Sequence, residues 1–284
     1  MSLEPAVVLS SLHSQAAREY LDQSLTIPQN IAPLPRVCAQ LAQLTAQQVV
    51  DASQLARLIQ SDPALAGEVM RVANSPALRP RAPVVSLQQA VSWLGVAEVR
   101  NIAMAVMLRG EVFVAPGHEP ETEELWREAW LAGLWAKEIA RERRKHVESA
   151  FLAALMHRTG AALALKILSR FEMDQRTVMD ARSFAELVVE FEPPFARMLM
   201  NSWGLPVDVQ AGATDWRRYQ ESSHGDLAGT VNAAHLLATH TMYPLLLNEE
   251  LVLESPVFEQ LGVFPDDRRA MLSKRDHVRS LAGL

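Results

Sequence analysis

Between Ser149 and Leu168 the chain reads Ser-Ala-Phe-Leu-Ala-Ala-Leu-Met-His-Arg-Thr-Gly-Ala-Ala-Leu-Ala-Leu-Lys-Ile-Leu, and the His157-Arg158 pair is where chemistry could occur. Ala150 to Met156 is apolar without a break, and a helix that is apolar on every side belongs at the centre of a helical domain. Gly160 then interrupts the pattern before a second apolar run, Ala161 to Leu168, so the pair lies at a pinch point between two core helices. Imidazole can ligate a metal or carry a proton; a guanidinium is a permanent cation suited to carboxylate or phosphate. Glu128 falls on or beside the inward stripe Leu125, Ala129, Ala132, Ala136, Ile139, where an acid requires a partner. His157 and Arg158 with Lys137 form a second candidate set, able to hold a phosphate.

Other constellations are missing. There is no glycine-rich phosphate loop and no Gly-x-Ser-x-Gly, and Cys38 has no histidine near it in sequence. His235 and His240 have no partner at metal-ligand spacing and read as surface or internally satisfied histidines. The single cysteine excludes an intrachain disulfide and a multi-cysteine zinc cage, and suits a reducing cytoplasm. A formal charge of −6 argues against a dominant attraction to nucleic acid, although Arg71, Arg79, Arg81, Arg100 and Arg109 gather in one region. No apolar run approaches the ~18 to 20 residues of a membrane span, and the N-terminus carries no signal-peptide pattern, so the expectation is a cytoplasmic protein without membrane insertion.

The elements that must position these residues are helices. At 284 residues and 49% hydrophobic content the chain can build a large core. Apolar positions recur at three- and four-residue spacing, with no period of two, so the class is all-α. Residues 1–26 read as an N-terminal arm or docking helix, and 27–112 as an N-terminal helical lobe opened by a proline-rich linker. Within that lobe Ser53, Asp62 and Ser86 are helix caps and Gly95 is a stop. Residues 113–245 form a second lobe: a long helix Leu125 to Arg141, the two central helices, short helices at Ser183–Glu190, Pro194–Trp203 and Pro206–Tyr219, and one at Gly225–His240. Residues 246–284 are a helical extension closing with one helix, Asp266 to Ser280.

Three groups of residues occur in a specific order over roughly residues 27 to 240. The first is Leu34-Pro35, Ser61-Asp62-Pro63-Ala64-Leu65 and Arg71-Val72-Ala73-Asn74-Ser75; the second is Ser86 to Gly95 leading into Val99-Arg100-Asn101. The third is Leu125-Trp126-Arg127, then Phe151 to His157 with Gly160, then Trp203-Gly204-Leu205-Pro206. Together they resemble the HDOD domain, the HD-related output domain of bacterial signalling proteins. That resemblance implies a fold similar to HD-type metal phosphohydrolases, in which histidines and aspartates on separate helices hold divalent metals that activate water. It also implies where the ligands should stand. The histidine after Leu-Trp-Arg is here Glu128, the His-Asp pair is His157-Arg158, a further histidine aligns with Glu192, and a His-His pair aligns with Asp215-Trp216.

Arg158 therefore stands in the place of a metal-binding carboxylate. A guanidinium cannot ligate a cation and repels one nearby by roughly several kcal/mol at an effective dielectric near 20. The expectation is that Arg158 replaces the ion, with Glu128 and either Glu192 or Asp215 compensating it; the alternative is an Arg158 that points to solvent from a helix end. The function expected is a non-catalytic regulatory module, a pseudo-phosphohydrolase without metal or cofactor, acting on a protein partner through its N-terminal lobe or the groove between lobes. Trp93, Trp126 and Trp130 are candidate anchors there. The alternative function is a residual nucleotide-binding protein or phosphohydrolase.

Overall fold

The computed structural model describes residues 4–26 (side chains from 14), 40–41, 51–75, 78, 80 and 82–282. Among them every regular element is a helix. The proline-rich linker, Cys38, Arg79 and Arg81 lie outside the described residues.

Helix α1 (Glu4–Thr26) buries Ala17 and Leu21 against the later helices α8 and α9. The first lobe contains α2 (Ala52–Gln60), α3 (Pro63–Ala73), α4 (Leu87–Leu94) and α5 (Val96–Glu111). Asp62 and Ser86 cap α3 and α4 as their sequence predicts, and Pro63 fits the first turn of α3, where its missing N–H is no loss. Helix α2 differs: Asp51, not Ser53, is its cap, accepting the Ser53 amide, because a carboxylate one residue ahead of the first turn reaches the free N–H groups. Gly95, at φ 85°, makes the sharp α4–α5 corner.

The second lobe is built on α6 (Glu119–Glu142), which begins earlier than the Leu125 start expected from the sequence because Pro120 sits in its first turn. Around it pack α7 (Val147–Met156), α8 (Thr159–Gln175) and α11 (Gly225–Met242). Helix α9 (Ala181–Trp203) lies along α8, and α10 (Val207–Asp215) with a 3₁₀ turn (Trp216–Arg218) bridges α7 and α11. The expected break near residue 191 does not occur, and Pro193 and Pro194 lie inside α9. Each proline withholds one backbone donor, but Val189 and Glu190, whose carbonyls lose them, are exposed to water, while Phe191, Phe195 and Leu199 bury a continuous stripe.

The C-terminal part holds α12 (Glu249–Leu253), α13 (Pro256–Gln260), α14 (Pro265–Ser273) and α15 (Arg275–Ala282), the last against α6. The single closing helix expected from 266 to 280 is thus two. Lys274, at the break, directs its ammonium to Glu138 and Glu142 of α6. The charged end of α6 is also engaged: Arg143 Nε donates to the Leu261 carbonyl at 2.9 Å, and the guanidinium pairs with Asp226.

Val147–Gln175, which spans α7 and α8, is long and apolar enough to meet the composition of a membrane span, contrary to the reading of separate runs. Its most apolar window is 89% buried among the other helices, so its hydrophobicity is used in the core.

Candidate functional site

His157 closes α7 and Arg158 stands just ahead of α8, so the chain turns on this pair, as its place between two apolar runs predicts. Gly160 is not the helix break. It lies in the first turn of α8, where α9 crosses so closely that a Cβ would come within 2.7 Å of the Ala196 nitrogen and closer still to the Glu192 carbonyl oxygen. Only glycine permits that approach, and it brings Glu192 to Arg158.

Arg158 sits between two carboxylates. Its Nη1 pairs with Glu192 Oε1, and its Nε lies 3.1 Å from Glu128 Oε2. Glu192, 2% exposed, receives a second guanidinium on its other oxygen, Arg217 Nη1 at 2.7 Å. Arg217 in turn lies over the Trp216 ring, 4.1 Å from its centroid. With neutral imidazoles, the two carboxylates and two guanidiniums of the cluster cancel in charge, which is the condition under which buried ions persist.

The histidines complete the network. His157 is fully buried, and since a carbonyl can only accept, its Nδ1–H donates to Ala154. Its Nε2 lone pair then faces His235 Nδ1 at 3.2 Å, and that same Nδ1 lies 2.7 Å from Glu128 Oε1. Trp216 packs edge-on to His157 and 4.3 Å from the His235 ring. Burial pushes the His157 imidazolium form down hardest, His235 and Arg158 add to it, and Glu128 only partly opposes, so its pKa lies well below the ordinary value. Burial acts to raise the Glu128 pKa, but Arg158 and the hydrogen bond from His235 outweigh it and hold the carboxyl well below its usual range. Burial likewise disfavours the Arg158 cation, and Glu192 and Glu128 reverse that.

Of the residues singled out in the sequence, Glu128, His157, Arg158 and Glu192 converge. Asp215 is held elsewhere, by the hydroxyls of Thr214 at 2.9 Å and Ser222 at 2.8 Å. Lys137 is nine residues along α6 from Glu128, about 13 Å at the helical rise, and its ammonium pairs with Glu98 of the first lobe. It does not share a phosphate site with Arg158. Two members escaped the sequence reading, His235 and Arg217. His235 lies on the inward side of α11 with Val231, Ala234 and Ala238, and a polar residue on such a stripe was the available signal. Arg217 carried none.

The ligand atoms of Glu128, His157 and His235 all lie within 4.8 Å of one another, and a two-histidine, one-carboxylate set is a known open arrangement for a single ion. The rest of the cluster opposes one. Both Glu128 oxygens already face cationic or N–H groups, and a divalent ion beside Arg158 would be repelled by roughly several kcal/mol even at an effective dielectric of 20. A pair of metals has too few ligands among the described residues, so the group implied by the HD fold does not fit.

The sequence model of the HDOD domain matches residues 31–215. The chain belongs to the HDOD family. Its fold is similar to that of an HDOD domain protein of unknown function from Geobacter sulfurreducens, at 16% identity and a TM-score of 0.70, covering 92% of this chain and 98% of that one. It is also similar to a protein from Shewanella amazonensis proposed to be a metal-dependent phosphohydrolase, at 21% identity and a TM-score of 0.67, with 95% and 99% covered. A third similar structure, from Marinobacter aquaeolei, is of a protein proposed to act in signal transduction, at 21% identity and a TM-score of 0.68, with 95% of this chain and 66% of that one covered. These likenesses show the HD-like fold. Among curated proteins none matches.

Proposed function

We propose that this HDOD chain is a non-catalytic signalling module that works through contact with another protein, in which an arginine has taken over the structural role of the metal. The observation that carries the reading is Arg158 paired to both Glu128 and Glu192 in a cluster of balanced charge. Hydrolysis in the HD fold requires an activated water, and a guanidinium activates none. Arg158 is also ill placed to take a phosphate, since carboxylates already match its charge on two sides. The family and its fold neighbour proposed to act in signal transduction support the signalling part.

A second reading, a residual one-metal phosphohydrolase, draws on the Glu128, His157 and His235 cluster. Assay of the purified full chain with bis(p-nitrophenyl) phosphate in manganese, magnesium and zinc separates the two. No turnover above the metal-only blank is expected. Turnover abolished by both His157→Ala and His235→Ala would overturn the proposal.

A further inference from the structure

Helix α15 is held lightly for an element that packs on the core. Of its eight residues Val278 is fully buried, Arg275, Leu281 and Ala282 are half-buried, and the other four are exposed. Val278, Leu281 and Ala282 follow the i, i+3, i+4 spacing of an amphipathic helix. A helix this short is not stable by itself, so α15 owes its form to the seat it takes on α6.

Contacts at its two ends give its direction. Lys274, one turn ahead of Val278, places its ammonium 3.1 Å from Glu138 and 3.7 Å from Glu142, near the end of α6. The last turn of α15 instead walls a groove that contains Trp126 and Trp130. Helix α15 therefore runs antiparallel to α6, from Glu142 towards Trp130. The groove has a volume of about 1250 Å³, lies between α3, α5 and α6, and has an apolar floor of Ile102, Val106, Phe113 and the two tryptophans. Trp126 and Trp130 are one turn apart on α6 with stacked rings, and Glu138 is two further turns along the same ridge. Taking α15 away would join the seat of Val278 and the groove into one strip along α6. From residue 126 to 142 that strip is about 24 Å long at the helical rise, the length of a helix of about four turns.

The rim of the groove carries three arginines and three acids, and Arg71 with Glu68 and Arg109 with Glu123 already form pairs. With no surplus charge, the groove selects for apolar surface rather than for an ion. What the strip accepts is shown by what already lies on part of it, an amphipathic helix.

We propose that α15 is the built-in occupant of a docking site, and that a partner protein inserts an amphipathic helix along α6, displacing α15 and covering Trp126 and Trp130. The helix that fits is longer than α15 but alike in chemistry: apolar at i, i+3 and i+4, with a lysine or arginine one turn ahead to meet Glu138 and Glu142. Displacement costs little where one side chain is fully buried, and the groove supplies the apolar contact that α15 does not use. The proposal rests on the reading that this chain acts through protein contact. It does not involve the Arg158 cluster, so its failure would leave the phosphodiester assay and that reading standing.

Hydrogen exchange on the full chain is the first test. Helix α15 should exchange at least about 100-fold faster than α11, opening while the rest of the fold stays closed. The second is fluorescence anisotropy with a labelled synthetic peptide of residues 272–284. Wild type should bind it weakly because the tethered α15 holds the seat, whereas the full chain with Lys274→Glu and Val278→Asp should bind it at least about tenfold tighter. The peptide carrying Val278→Asp should not bind. Lengthening the peptide by two C-terminal turns of alanine and leucine should tighten binding to the released variant, and adding Val106→Lys to that variant should cancel the gain. Should the released variant fail to fold, the exchange rates of wild type still decide. An α15 as protected as α11, a released variant no better than wild type, a peptide indifferent to Val278→Asp or an extension without gain would overturn the proposal. A dimer in sedimentation velocity that is lost with Val278→Asp would also overturn it, by giving the seat to a second copy.

Discussion

Arg158 and Glu192 meet across a helix crossing that has no room for a side chain. The pair forms because Gly160 lets α9 descend onto α8, and the same descent buries the Glu192 carboxylate, 2% exposed, where it must have a cation. Packing and charge are thus two parts of one arrangement.

Removing the cation should be expensive. Arg158→Ala leaves Glu192 with Arg217 alone and Glu128 with His235, and is expected to destabilise the fold by about 3 to 5 kcal/mol. Urea unfolding followed by circular dichroism measures it. A loss below about 1 kcal/mol, the range of a surface pair, would mean that the cluster is not electrostatically tight.

Two glycines, one packed and one exposed, should respond oppositely to alanine. At Gly160 the added methyl meets backbone that cannot swing aside, so Gly160→Ala should cost about 3 kcal/mol or more. Gly67, exposed within α3, has nothing within 4 Å, and Gly67→Ala should stabilise by about 0.5 to 1 kcal/mol through helix propensity. Thermal melts of the two variants against wild type decide the signs.

Stability should fall on acidification in two stages. The pKa of His157 is lowered by folding, so below about 6.5 the unfolded chain takes up a proton that the native state refuses, and stability declines. Glu128 is also lowered. Its contribution is complete above the unfolded value of about 4.3 and is lost as pH drops towards its depressed native value. Urea midpoints across this range should show the first decline in wild type, and His157→Gln should flatten it. An unchanged slope in that variant would assign the decline to other groups.

What could be read in advance was whatever the local chain determines. Capping by Asp62 and Ser86, the corner at Gly95 and the position of His157-Arg158 between two apolar helices depend on neighbours in sequence, and the structure has them in place. The misreadings are long-range. Pro193-Pro194 looked like a break because its cost is local, whereas the stripe that keeps α9 whole is buried by α8. Gly160 looked like a stop signal, although its reason lies on another helix. His235 enters the cluster only because α11 packs on α6, while Lys137 stands too far along α6 to join it and pairs with Glu98 of the other lobe.

Calorimetric titration of the full chain with zinc and manganese, comparing wild type with Arg158→Asp, tests most directly whether a guanidinium holds the place of an ion. The substitution removes the opposing charge and adds a carboxylate beside Glu128, His157 and His235, so it should bind about one equivalent, reversed by chelator, while wild type binds none. Equal stoichiometric binding by wild type would contradict the account.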